Sequence, residues 1–491
     1  MSQSRKIDWS SLWKKEDWWA LWLGLLLFII SLTFLATKFN PLGFVPRVAI
    51  WLDPTKSIRI IGGEAWEWVG AVGSILLLYL VMLTICTIGA VAMGWKVKRF
   101  VAAFTIIFFL TYFLWWVGHY AYIAATPDRH KALGIEWSLS LTGEAGYLFA
   151  LIVGLIISNF FRRAASFLAE AARPEWYVKT AIILLGVGIG IKTVTALGMA
   201  IHVVLRGFTA IIEAYLLYWP IVYLLARKVF KIDRKWSATL ASGISICGVS
   251  AAIATAAAIG APAYVPVTIA SLVVVWAVIE LLILPWIAWA FLWTQPMVAG
   301  AWMGLAVKTD GAAIASGAIT EALITARTIS EIGVEYEAGW MLMSTTTTKA
   351  FIDMFIGIWA FILTVAWVYY IERKPGEKVP KITIWYRFPK FILGFFFTWL
   401  FIAFLGLQAG VPLADLRAVQ GPLDEMRKYF FALTFMSIGL ITDFRKFKEW
   451  GVHKLAAVYG ITLFGIIVWV ALFISWVFFH DVYPPWKTVS G

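Results

Sequence analysis

Apolar runs about twenty residues long recur from Trp18 to Phe479. A run of that length matches the hydrocarbon thickness of a bilayer when coiled as an α-helix, and no single soluble core absorbs so many. The chain therefore reads as an all-α polytopic membrane protein. Composition agrees, since only 14% of the 491 residues are charged and 62% are hydrophobic, against about a quarter charged in soluble domains.

The spacing predicts about thirteen transmembrane helices. Three lead the chain, over 18–36, 68–93 and 100–120. Ten follow, over 145–161, 176–194, 200–226, 237–260, 264–291, 298–326, 338–370, 388–408, 429–443 and 455–480. The net charge of +13 does not indicate nucleic acid, because the basic residues lie in short clusters between apolar runs. Clusters within 5–15, 96–99, 162–173, 227–235, 373–390 and 445–454 hold 25 Lys and Arg, and the opposite loops about 11. By the positive-inside rule the amino terminus is cytoplasmic, and the odd span count leaves the carboxyl terminus external to the cytoplasmic membrane. No cleavable signal peptide is expected, as the first run is long enough to span and lacks a small-residue cleavage site.

The last ten spans divide as five plus five. The first group enters from outside and the second from inside, which is the inverted-repeat plan of many secondary transporters. The expected divisions are a three-helix extension (1–125), the first four helices of repeat one (126–262), its last helix (263–297), repeat two (298–480) and an external tail (481–491). The stretch ISICGVSAAIATAAAIGAP (residues 244–262) is long enough to span yet made of small residues, and so is ALTFMSIGLITDF (residues 432–444). Small residues let backbones approach closely and Gly permits unwinding, which survives at that depth only inside protein or beside a water-filled cavity. Two broken helices crossing at mid-membrane would aim partly positive N-termini at one spot, a site for an anion. The expected substrate contacts are Ser245, Cys247, Gly248, Ser250, Ser437 and Gly439, with Gly248 and Gly439 adjacent.

Charges inside spans need a partner or a task. Lys308 is expected to counter the charge of the anion. Asp310, and the Lys349–Asp353 pair spaced i, i+4, are expected to serve a coupling proton or sodium ion, an ion pair within one helix being the plainer explanation of the latter. Lys179 and Arg206 lie near enough to helix ends to snorkel. The hydroxyls of Ser344–Thr348 either bond their own helix or line a cavity. Cys86 and Cys247 offer neither a disulfide framework nor metal spacing, the five histidines never cluster, and no cofactor is implied. Neither a nucleophile–base constellation nor an ATP-binding loop motif points to an enzyme.

Five stretches, LIVGLIISN (151–159), KTAIILLGVGIGIK (179–192), SICGVSAAIATAAAIGA (245–261), GAWMGLAVKTDGAAIASG (300–317) and FFALTFMSIGLITDFRKFKEWG (430–451), together resemble the sulfate exporter family of bacterial membrane proteins. That family is distantly similar to bile acid–sodium symporters and sodium/proton antiporters, in which the fourth and ninth core helices are broken and cross. The resemblance covers residues from about Leu133 to the last span. It implies transport of sulfate, sulfite or a small organosulfonate by alternating access. The chain departs from the family pattern at Val249, Lys308 and Ile352, and its first 120 residues have no counterpart there. The rival readings are a sodium/proton antiporter working through Asp310 or Asp353, and a membrane scaffold without transport. The Trp-rich extension, with Trp18, Trp19, Trp66, Trp68, Trp115 and Trp116 at span ends, is expected to act as scaffold, homodimer contact or accessory module.

Overall fold

The computed structural model describes residues 10–125, 127–139, 143, 145–195, 197–262, 264–371, 390–443 and 453–488. All thirteen expected apolar segments contain helix. The extension is α1 (Glu16–Leu32, continued by Phe34–Thr37), α2 (Gly70–Ala92) and α3 (Val97–Gly118). The core continues with α4 (Ala145–Phe160), α5 (Pro174–Thr195) and α6 (Leu197–Val229). A short helix, Arg162–Leu168, turns away from α4 by 120°. Next come α7 (Arg234–Ser245), α8 (Val249–Ala258) and α9 (Tyr264–Phe291), then α10 (Pro296–Ala306) and α11 (Asp310–Ile332). The chain ends with α12 (Trp340–Ile371), α13 (Lys390–Leu407), α14 (Leu413–Ile441) and α15 (His453–Phe479). Among the described residues, eight helices are long and apolar enough to cross a membrane, or nine if the bent pair counts as one span. The protein is a multi-pass membrane protein.

Two of the thirteen segments are hairpins rather than spans. In the first, α7 is capped by Asp233, whose side chain accepts from the Lys235 N–H at 2.8 Å. The helix stops at Ile246, and Gly248 follows with φ +71° and ψ −104°, a conformation that excludes a Cβ at little cost only for glycine. Helix α8 then folds back until the Lys235 ammonium reaches the Gly260 carbonyl at 3.0 Å. A straight helix would separate these residues by roughly 38 Å. In the second, α10 begins at Pro296 and ends where Val307 is extended, and α11 restarts with the Thr309 hydroxyl accepting from the Ala312 N–H at 3.2 Å. Helix α10 runs alongside α12, with Gly300 against Ser344 and Gly304 against Thr348. Helix α11 returns in the opposite direction, with Asp310 beside Lys349, Gly317 against Thr345 and Glu321 accepting the Gly339 N–H.

The hairpins open towards opposite faces of the bundle. The first returns to the face of the 227–235 basic cluster. The second opens where Gln295 donates to the Tyr483 hydroxyl at 2.8 Å and β3 (Val334–Tyr336) pairs with β4 (Trp486–Thr488). At about 18 Å, α7 reaches only part way through a bilayer, so its tip lies at mid-depth.

The expectation of a second broken helix at Ser437 and Gly439 is corrected. Helix α14 is continuous from Leu413 to Ile441. A Cβ added at Gly439 would come 2.8 Å from the Gly154 Cα, so this glycine serves close packing of α14 on α4, as small residues do between membrane helices. Gly248 instead faces Val273, the Lys308 carbonyl and Thr309, so the expected Gly248–Gly439 contact is absent. The break that meets Gly248 is 307–309, in the first segment of the expected second repeat rather than its fourth.

The extension is packed into the core. Lys179 on α5 is bonded to Asp17 at 2.7 Å and Glu175 at 3.4 Å, an ion-pair role rather than snorkelling. The Ser31 hydroxyl donates to the Val419 carbonyl at 2.7 Å, and Arg47, on the β1 (Pro46–Val48) and β2 (Ile58–Ile60) hairpin, pairs with Glu425 at 2.8 Å. Of the expected interfacial tryptophans, Trp19 and Trp115 are buried, and Trp68 is exposed.

Candidate functional site

The site is assembled where the two hairpin tips touch. Each tip is a break between half-helices, so it presents carbonyls left open at the end of one half and N–H groups left open at the start of the next. The ammonium of Lys349, from α12, fills the carbonyl side of both breaks. It donates to Ile246 O at 2.9 Å and lies 3.4 Å from both Val307 O and Lys308 O. Without it these carbonyls would be unpaired in a dry interior, which is strongly disfavoured. The N-terminal ends of α8 and α11 face the same place, adding partial positive charge.

Two carboxylates complete the cluster. Asp310 opens α11, and its Oδ1 is 3.9 Å from Lys349 Nζ. Asp353 lies one turn beyond Lys349 on α12. Ligand atoms of Cys247, Asp310 and Asp353 all fall within 4.8 Å of one another, and all three residues are buried. Neither oxygen of Asp353, nor Oδ1 of Asp310, accepts a hydrogen bond from an N–H or hydroxyl donor among the described residues, and the two carboxyls lie close enough to share a proton. Lys349 thus turns to the hairpin carbonyls and Asp310 rather than forming the expected pair with Asp353. Because its ammonium already holds the cationic position beside Asp310, the two carboxylates suit a proton better than a metal ion.

Two residues apart, Lys308 and Asp310 would point in different directions on a regular helix, but the helix is interrupted at 307–309, so Lys308 lies in the break and Asp310 opens the next helix. The Lys308 side chain leaves the cluster altogether. It is buried, donates to the Leu305 carbonyl, and lies 4.8 Å from the centre of the Tyr218 ring. Tyr218 in turn donates to Glu213 on α6, and the Lys308 N–H approaches Glu280 of α9 at 3.4 Å. Lys308 is therefore turned towards Tyr218, Glu213 and Glu280 rather than towards an anion at the tips. Glu213 and Glu280 escaped the sequence reading, although acidic residues inside apolar runs carry the signal that singled out Asp310.

The remaining expected residues divide. Cys247 and Gly248 lie at the first tip, and Ser245 ends α7 beside it, its buried hydroxyl without a hydrogen-bond partner among the described residues. Ser250 is in the first turn of α8, but its side chain lies outside the described residues. Ser437 and Gly439 belong to α14. That helix reaches the cluster through Thr434 and Ile438, which pack against Gly311. In the hydroxyl run, Ser344, Thr346 and Thr348 donate to carbonyls of their own helix at 2.8–2.9 Å, and Thr345 donates to Gly300 O at 2.6 Å, bracing α10. A cavity of about 360 Å³ lies between α5, α11, α12 and α14, with Gly188, Glu321, Gln420 and Arg427 in its wall.

A family model described as "Conserved hypothetical protein 698" matches residues 137–458. A UPF0324 membrane protein of Nitrosomonas europaea is 44% identical over 484 residues, covering 97% of this chain and 98% of its own. A UPF0324 membrane protein of Rhodopirellula baltica is 31% identical over 383 residues, covering 77% of this chain and 62% of its own. An uncharacterized protein of Archaeoglobus fulgidus is 48% identical over 171 residues, 30% of this chain and 91% of its own. No solved structure matches the chain.

Proposed function

This chain belongs to the conserved hypothetical protein 698 (UPF0324) family of membrane proteins, and from that premise we propose that it is a proton-coupled secondary transporter of a small anion. The observation that carries this reading is the meeting of two opposed hairpin tips around Lys349, Asp310 and Asp353. Interrupted helices inside a membrane bundle are the usual frame of a transport site.

The charge count supplies the coupling. One ammonium with two ionised carboxylates is net negative and repels an anion. With one carboxyl protonated the cluster is neutral. With both protonated, Lys349 and the N-termini of α8 and α11 leave net positive charge, which favours an anion. Anion and proton therefore bind together. Lys349 takes the counter-charge role that the sequence suggested for Lys308. Sulfate, sulfite or a small organosulfonate is the substrate class that the sequence resemblance implies.

The proposed setting is the cytoplasmic membrane, with the amino terminus inside. Taking the two hairpins from the thirteen expected segments leaves eleven, still an odd number, which keeps the proposed carboxyl terminus external. Flux of labelled sulfate, sulfite and methanesulfonate in proteoliposomes, with pH and sodium gradients imposed separately, tests the reading. Anion flux driven by pH supports it. Sodium-driven proton movement indifferent to every anion would favour a sodium/proton antiporter working through the same aspartates.

A further inference from the structure

The backbone of Lys308 joins two buried clusters on opposite sides of the α10–α11 break. Its carbonyl meets Lys349 Nζ at 3.4 Å, and its N–H meets Glu280 Oε2, also at 3.4 Å. One cluster is Lys349 with Asp310 and Asp353. The other is Lys308 with Glu213 and Glu280, joined through Tyr218. Each therefore contains one ammonium and two carboxyls.

Three further observations bear on the second cluster. Glu213 is 1% exposed and Glu280 fully buried, and Oε2 of Glu213 and Oε1 of Glu280 have no hydrogen-bond partner among the described residues. Glu213 begins a π-helical stretch, Glu213–Tyr218, a local distortion that recurs at functional sites. Among the described residues, the other titratable groups acting on Glu280 are Lys349 and Tyr459, whose own buried hydroxyl has no hydrogen-bond partner there and whose ring stacks on Trp276 at 5.7 Å. With Lys308 charged and both glutamates ionised, the cluster would hold an uncompensated negative charge in a dry site, which is strongly disfavoured. One added proton makes it neutral.

From this geometry we infer that Glu213, Glu280 and Lys308 form a second proton-binding site, linked through the backbone of Lys308 to the first. Protonation at one cluster alters the field at the other across the backbone of a single residue. The inference extends the transport reading but does not need an anion, since it concerns proton binding alone.

Infrared difference spectra of the purified protein between alkaline and neutral pH test it in the protonated-carboxyl region. Two sets of bands are expected. Asp310→Asn or Asp353→Asn should remove one, and Glu213→Gln or Glu280→Gln the other. Wild-type protein with carbon-13 in its glutamate carboxyls needs no substitution, and only the second set should shift. Absence of any glutamate band in that sample overturns the inference whatever the variants do. Unchanged spectra in both folded glutamate variants overturn it as well. Absence of the aspartate bands from the wild-type spectra, with the glutamate bands present, would overturn the proposed coupling at Asp310 and Asp353 and leave this inference standing.

Discussion

The ammonium of Lys349 sits 2.9 Å from the carbonyl oxygen of Ile246, although 103 residues separate them in the chain. The same ammonium reaches both carbonyls of the second break, so one side chain fastens two hairpins that enter from opposite faces. Lys349→Met should leave those carbonyls unpaired in the interior, and removing one partner of such a buried charged group costs about 3 kcal/mol. Thermal unfolding in detergent should show a clear drop in midpoint. An unchanged midpoint would mean that the tips hold without the lysine.

The two glycines expected to act together should behave differently. Gly248 has a backbone conformation hostile to a Cβ, at about 1–3 kcal/mol, and a Cβ there would also strike Val273. Gly248→Ala should displace the first tip and abolish transport. Gly439→Ala disturbs the α4–α14 contact and should chiefly lower thermal stability. Identical behaviour of the two variants in flux and melting assays would argue against separate roles.

The hairpins make a sidedness prediction that spans do not. Single cysteines at Arg234 and Ala261 should both react with an impermeant thiol reagent from one side of the membrane. Cysteines at Thr294 and Ile332 should both react from the other. The native Cys86 and Cys247 are buried and should stay silent. Reaction of the Arg234 and Ala261 positions from opposite sides would restore α7–α8 as a span.

The membrane class was legible because bilayer-length apolar runs leave few alternatives, and the small-residue break at 246–248 was legible because only glycine suits such a turn. The second break was not. It lies among VKTD rather than glycines, and Val307 and Thr309 take extended conformations open to any residue. The SIGLITDF stretch misled because a small-residue stripe fits tight helix packing as well as a break, and only the neighbour, Gly154, decides which. Hydropathy also cannot tell a hairpin from a span of equal length. Residue spacing along the chain did not disclose that Lys349 turns to Ile246 while Lys308 turns to Tyr218. Those directions come from the packing of α12 and α6 on the hairpins.

The hydroxyl run should be mostly structural. Thr346→Val removes a bond made only within α12 and should leave transport within about twofold of wild type, because a single neutral hydrogen bond contributes about 1 kcal/mol. Thr345→Val loses the bond to Gly300 O that braces α10, and should lower flux and stability together. Equal effects of the two in a labelled-anion assay would contradict the bracing role.

The most direct test of the account is proton movement into proteoliposomes, read by an entrapped pH indicator, when an anion gradient of sulfate, sulfite or methanesulfonate is imposed. Wild-type protein should carry protons with at least one of these anions. Asp310→Asn and Asp353→Asn should abolish that movement while remaining folded and inserted. Wild-type proton movement in both variants would contradict a coupling site at the hairpin tips.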